Sequence, residues 1–209
     1  MSDAFTLVEN LRNRGIADER VLEAIASVDR ARFVPPESAA FAWDDTALPI
    51  GAGQTISQPY IVALMTEALG LAGGEAVLEV GTGSGYQAAV LSRLAAKVVT
   101  IERLPELQET ARQALAAPGF ENIVFRTGDG TLGSADDGPY DGILVTAAAP
   151  DVPPALYSQL ADDGRLVLPV GTEHEQDLVL ITKTVRGPTR QVLCACRFVP
   201  LIGEQGWPA

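Results

Sequence analysis

The chain predicts a doubly wound, mostly parallel α/β sheet, and three observations carry that prediction. Strand-like and helix-like patterns alternate from residue 76 onward, which implies parallel strands joined by right-handed crossovers. One strand-like run, Val77-Leu78-Glu79-Val80, passes directly into Gly81-Thr82-Gly83-Ser84-Gly85-Tyr86-Gln87, a glycine-rich turn that opens an amphipathic segment. Near the C-terminal end the rhythm changes to two strand patterns around Arg186-Gly187-Pro188-Thr189, a turn signal between antiparallel strands at a sheet edge.

Taken in order, Leu7, Val8 and Leu11 mark one face of a first helix. Val21, Leu22, Ile25 and Val28 mark the face of a second, with Asp18 as its N-cap. Pro35 and Pro36 stop helical structure after Arg32-Phe33-Val34. Residues 41–57, punctuated by Trp43, Pro49, Gly51, Gly53 and Thr55, read mostly as loop, and a helix follows over 58–71. Strands are expected at 76–80, 97–101, 122–126, 140–146 and 164–169, and helices at 85–95, 105–116 and 153–161. Pro105 and Pro153 suit first helical turns. Hairpin strands at 178–185 and 192–199 complete a seven-stranded sheet. A single domain over 1–209 is expected, with 1–72 as helical extension and substrate loop and 73–209 as cofactor-binding core.

The 209 residues carry a net charge of −12, with Lys97 and Lys183 as the only lysines. Such a surface argues against nucleic acid or an anionic membrane as partner, since both require clustered Lys and Arg. No uncharged apolar run reaches the length of a membrane span. Residues 1–5 lack the pattern of a secretory signal, so a cytoplasmic protein is expected. Cys194 and Cys196 would share one strand face and read as small apolar residues of a reducing compartment. The one histidine, His174, lies in a polar loop pattern, and no set of metal ligands at sensible spacing accompanies it. No interface segment stands out, and a monomer is expected.

In open α/β sheets ligands bind beyond the carboxyl ends of the strands, near the first glycine-rich turn. A nicotinamide dinucleotide fits poorly. Its G-x-G-x-x-G/A fingerprint would need a small residue where Tyr86 stands, and Glu79 would repel a pyrophosphate. A carboxylate there suits a cation such as S-adenosylmethionine, which bears an ammonium and a sulfonium. Glu102 ends the next strand about 20 residues on, where an acid accepts from ribose hydroxyls. Asp129, between Gly128 and Gly130, follows the third strand and could accept from an adenine amino group.

Several segments carry a more specific resemblance. They are Ala47 to Pro59, with Gln54-Thr55-Ile56-Ser57-Gln58-Pro59 the most particular, then Val77 to Ala88, Val99 to Arg103 and Gly128-Asp129-Gly130. Tyr140 to Ala148, Leu166 to Gly171 and Arg197 to Leu201 continue it. Over nearly its whole length the chain resembles the protein-L-isoaspartate O-methyltransferase family. The resemblance implies a Rossmann-like class I methyltransferase fold. It also implies methylation of the α-carboxylate of L-isoaspartyl residues in damaged proteins, with S-adenosylmethionine as donor and S-adenosylhomocysteine as product. It implies Ser57 as the catalytic hydroxyl. Gln54, Thr55, Ile56, Glu79, Gly81, Thr82, Gly83, Ser84, Gly85, Glu102, Arg103, Gly128, Asp129, Gly130 and Thr146 would bind the cofactor. Ser57, Val199, Pro200 and Leu201 would contact the isoaspartyl substrate. Read from local pattern alone, Ser57 is also an ordinary N-cap ahead of Pro59. Two other readings remain open: a methyltransferase of the same fold acting on another carboxylate or small molecule, and a non-catalytic binder of S-adenosylmethionine.

Overall fold

The structure is a computed structural model and describes residues 3–208. Helix α1 (Ala4–Asn13) starts where Asp3 accepts a hydrogen bond from the Thr6 amide at 2.8 Å, and α2 (Glu19–Ser27) where Asp18 accepts from Arg20 N at 2.9 Å. Both caps satisfy amide groups that no helical carbonyl can reach. Leu7, Leu11, Leu22 and Ile25 on these helices are buried in a common core with Val62 and Ala63 of α3 (Pro59–Leu69) and with Ala89 and Val90 of α4 (Tyr86–Ser92). The helical extension is therefore packed on the rest of the domain. Glu67 of α3 fastens the α1–α2 connection by accepting from the amides of Ala17 and Asp18, both at 2.7 Å.

After 3-10 turns at Arg30–Phe33 and Pro36–Phe41 comes a departure from the expected loop. Residues 48–56 form a small antiparallel hairpin, β1 (Leu48–Gly51) with β2 (Gln54–Ile56). A three-residue strand is too short to show alternation, and only its partner stabilises it. Helix α3 (Pro59–Leu69) follows and ends at Gly70 in the left-handed region.

Strands β3 (Ala76–Val80), β4 (Lys97–Glu102), β5 (Ile123–Thr127), β6 (Tyr140–Val145) and β7 (Leu160–Gly171) pair in parallel. Helices α4 (Tyr86–Ser92), α5 (Pro105–Ala114) and α6 (Pro154–Ser158) connect them. The last two strands, β8 (Gln176–Thr184) and β9 (Gly187–Cys196), add antiparallel to β7. The order across the sheet is β5-β4-β3-β6-β7-β8-β9. Winding reverses between β3 and β6, which opens a crevice at their carboxyl ends.

Several boundaries move. The turn of the last hairpin is Val185-Arg186, so Gly187, Pro188 and Thr189 already pair with β8, and residues 197–199 lie outside the strand. Strand β7 begins at Leu160, because an irregularity opposite Tyr140 and Gly142 lets pairing start early and shortens α6 to one turn. Cys194 and Cys196 lie half-buried on β9 as free thiols. Among the described residues no helix is long and apolar enough to cross a membrane, and no cluster of metal-ligating side chains occurs.

Candidate active site

The crevice is built from the end of β3. Gly81, Gly83 and Gly85 have φ of +96°, +51° and +88°, a region that L side chains rarely adopt. A Cβ on Gly81 would overlap the Thr146 hydroxyl, so the turn and the end of β6 meet with no space to spare. Thr146 Oγ1 donates to the Gly81 carbonyl at 2.7 Å and ties the two strand ends together. The Gly81 amide donates to Ile101 O of β4 at 2.8 Å, and Gly85 in the left-handed region starts α4.

On the β4 side Glu102 is 7% exposed. One of its oxygens accepts from Gly83 N at 2.9 Å and the other from Leu104 N at 3.0 Å. A carboxylate has about four acceptor sites, so two remain for a ligand in the crevice. Gly81, Thr82, Gly83, Ser84, Glu102 and Arg103 all line this space. Gly130, Gln54, Thr55, Ile56, Ser57, Thr146 and residues 199–201 complete its lining.

Four residues expected at the ligand lie elsewhere. Gly85 sits behind the turn against Ala111 and Leu115 of α5. Gly128 is exposed and outside the crevice wall. Glu79 has no solvent exposure and lies beneath the turn. One oxygen accepts from Thr100 Oγ1 at 2.5 Å, the other has no hydrogen-bond partner, and Thr100 continues to Thr82 Oγ1 at 2.6 Å. Burial pushes its carboxyl up to about 8, with the Glu102 charge adding to the rise against the Thr100 hydrogen bond. At neutral pH it is mostly uncharged, so it is no fixed counter-charge for a cationic ligand.

Asp129, the fourth, is turned away from the crevice. One oxygen takes the amide and hydroxyl of Thr131 at 2.8 and 2.6 Å, and the other takes Glu204 N at 2.7 Å. Burial works to raise this carboxyl, but those hydrogen bonds outweigh it and hold it below the usual range. Its oxygens latch the C-terminal segment, whose Trp207 indole donates to Ala148 O at 3.0 Å. That segment brings Ile202 into the crevice wall.

Beside the crevice lies a broader groove of about 1780 Å³. Its walls come from Asp45 to Ala47, from Glu173 and His174, and from Arg197 to Pro200. Thr55, Ser57, Thr146, Val199 and Pro200 border both spaces. Ser57 thus stands where the two meet.

The capping role open to Ser57 is taken by another residue. The N-cap position of α3 is Gln58, whose side chain makes no cap bond, and the amide of Tyr60 donates to Asp45 Oδ1 at 2.8 Å. The groove strand is held from behind. Gln176, 5% exposed, accepts from Phe198 N at 2.6 Å and donates to Phe198 O at 3.2 Å, while Ala148 N donates to Val199 O and Leu201 N to Ala148 O, both at 2.8 Å.

Local pattern also misses wall residues. Tyr86, Gln87, Ile101, Leu104 and Leu107 also line the crevice, and the side of a buried segment that meets a cavity leaves no mark in its periodicity. Arg30, buried below residues 42–57, carries no distinguishing local signal in a segment that also holds Arg12, Arg14, Arg20 and Arg32.

The chain matches the model of the family described as Protein-L-isoaspartate(D-aspartate) O-methyltransferase over residues 2–206. A protein-L-isoaspartate O-methyltransferase of Anaeromyxobacter dehalogenans is 57% identical over 198 residues, spanning 93% of this chain and 95% of the relative. One from Dictyoglomus thermophilum is 52% identical over 201 residues, or 96% and 91% of the two chains. A solved protein-L-isoaspartate O-methyltransferase superposes with a TM-score of 0.87 at 30% identity, covering 97% of this chain and 67% of that one. A Plasmodium falciparum protein described as a beta-aspartate methyltransferase, solved with S-adenosyl-L-homocysteine, gives 0.83 at 26% identity over 97% and 99%.

Proposed function

The chain belongs to the protein-L-isoaspartate(D-aspartate) O-methyltransferase family, and on that premise we propose how its residues divide the work: the crevice takes the methyl donor, the groove takes the isoaspartyl segment, and Ser57 holds the nucleophile where the two join. The reaction is the S-adenosylmethionine-dependent methylation of L-isoaspartyl residues in damaged proteins. When bound, S-adenosylmethionine supplies a methyl group on a sulfonium, whose sulfur keeps the bonding electron pair as the methyl passes to the carboxylate.

The residues present fit that donor. Gly81 and Gly83 leave its approach to the backbone open, and the half-satisfied Glu102 carboxylate is available to ribose hydroxyls. Gln54, Thr55 and Ile56 line the crevice together with Thr82, Ser84 and Arg103. The α-carboxylate of an isoaspartyl residue is ionised at neutral pH, since free α-carboxyls titrate near ~3.5. No general base is required, so the chain's task is to orient one oxygen and exclude water. Ser57 donates its hydroxyl hydrogen to one carboxylate oxygen and leaves the other for the methyl group. Val199 and Pro200 flank the bound segment, while Leu201 lines only the crevice. One chain supplies both spaces, so the site is complete in a monomer.

The observation that carries this reading is the position of Ser57 on both walls, with the cap of α3 supplied by Asp45. Ser57→Ala is expected to keep its affinity for S-adenosylhomocysteine and to lose roughly 100-fold in kcat on an isoaspartyl peptide, the scale of removing one donor at a reacting oxygen. Radiolabelled methyl transfer measures the loss. Turnover within threefold of the parent would exclude Ser57 from the mechanism.

A further inference from the structure

Arg30 lies on the short turn Arg30–Phe33, behind the walls of the two ligand spaces and lining neither, and its side chain has no solvent exposure. A buried guanidinium normally finds a carboxylate. This one finds four backbone carbonyls. Nη1 donates to Ala42 O at 2.7 Å and Asp44 O at 3.3 Å, and Nη2 donates to Thr46 O at 2.9 Å and Ser57 O at 3.0 Å. Three of those carbonyls belong to residues 42–46, of which Asp45 and Thr46 line the groove, and the fourth is that of Ser57 itself. The guanidinium carbon also lies 5.7 Å from the centroid of the Tyr86 ring, and Tyr86 lines the crevice. Its Nε has no partner.

An apolar side chain of similar volume would fill this place without the cost of burying a charge. What it could not do is join carbonyls from separate parts of the chain. The planar fork of arginine presents donors in fixed directions, whereas a lysine ammonium is a single point with three donors. Ser57 has no other anchor of this kind, since it lies between the three-residue strand β2 and the start of α3.

We propose that Arg30 is the positioning residue of methyl transfer: by gripping the Ser57 carbonyl together with those of Ala42, Asp44 and Thr46, it sets the Ser57 hydroxyl at the junction of crevice and groove. This rests on the assignment of Ser57 as carboxylate anchor. Misplacing a reacting group by about 1 Å can cost around 100-fold in rate.

The test uses the full chain and the variants Arg30→Lys, Arg30→Gln, Ser57→Ala and the double variant Arg30→Lys/Ser57→Ala. Readouts are S-adenosylhomocysteine affinity by calorimetry, and kcat and KM on an isoaspartyl peptide. Arg30→Lys is expected to bind S-adenosylhomocysteine within threefold of the parent and to lose at least tenfold in kcat. On the Ser57→Ala background the same change is expected to remove less than threefold more. Equal tenfold losses on both backgrounds overturn the proposal, because Arg30 would then act elsewhere than through Ser57. It is also overturned if both Arg30 variants bind S-adenosylhomocysteine and turn over within threefold of the parent. If neither variant folds well enough to bind, Arg30 is a folding residue and the proposal falls. Normal turnover by Ser57→Ala instead removes the Ser57 assignment, whatever Arg30 does. Full loss by Ser57→Ala with normal turnover by Arg30→Lys removes only the present proposal.

Discussion

Glu79 carries its proton into the fold. Its carboxyl is raised from 4.5 to about 8 by burial, so between those values the native state binds a proton that the unfolded chain has released. More protons on the native state means that stability falls as pH rises across this window, and the fall ends above about 8. Glu79→Gln removes the titration. Chemical denaturation from pH 5 to 8 is expected to give a flatter stability profile for the variant than for the parent, whatever the offset between the curves. Parallel profiles would show that Glu79 does not titrate in this window. A residue's charge at a strand end is therefore a property of its surroundings. The sequence shows an acid before the glycine turn, but not that the sheet encloses it with Thr100 as its hydrogen-bond donor. Both faces of a parallel sheet are buried, so alternation does not reveal which side a residue faces.

The glycine turn, at the scale of an element, was legible because it is a local structure. Three glycines after an apolar run require positive φ, and Gly81, Gly83 and Gly85 all have it. Gly81→Ala adds a Cβ where the Thr146 hydroxyl stands and places it at φ +96°, where no neighbour can relieve the strain. Calorimetry is expected to show at least about tenfold weaker binding of S-adenosylhomocysteine to this variant, and unchanged affinity would mean that the turn tolerates displacement from β6. The helices α1 to α3 were equally readable from apolar spacing, with Asp18 as the legible cap of α2. The hairpin β1–β2 was not, because strands of three and four residues are defined by their partners. The cap of α3 was also hidden: Asp45 is far from it in sequence and reaches Tyr60 N only once residues 42–58 have folded back. Asp129 differs for the same reason. Its neighbours in sequence are glycines, but its partner in the fold is Glu204 N.

Over the whole molecule the net charge of −12 sets a negative field around the groove, whose rim includes Asp45 and Glu173 alongside Arg197. Such a field speeds the encounter of cationic peptides and is screened by salt. An isoaspartyl peptide with lysines outside the reacting residue is expected to show a higher kcat/KM than its aspartate-flanked twin, with the gap narrowing as sodium chloride is raised; a gap independent of salt would point to direct contacts in the groove. The amino-acid sequence by itself determined the order of helices and strands from α3 onward, the glycine turn at the reversal of the sheet, and the family to which the motifs belong. These rest on periodicity, turn chemistry and short contiguous motifs, all of which act over a few residues. Only the tertiary structure decided which acids face the crevice, that residues 202–207 fold back onto Asp129, and that Arg30 grips Ser57 from 27 positions away. Those depend on contacts between distant segments, where any carboxylate or guanidinium has many equivalent partners until packing selects one.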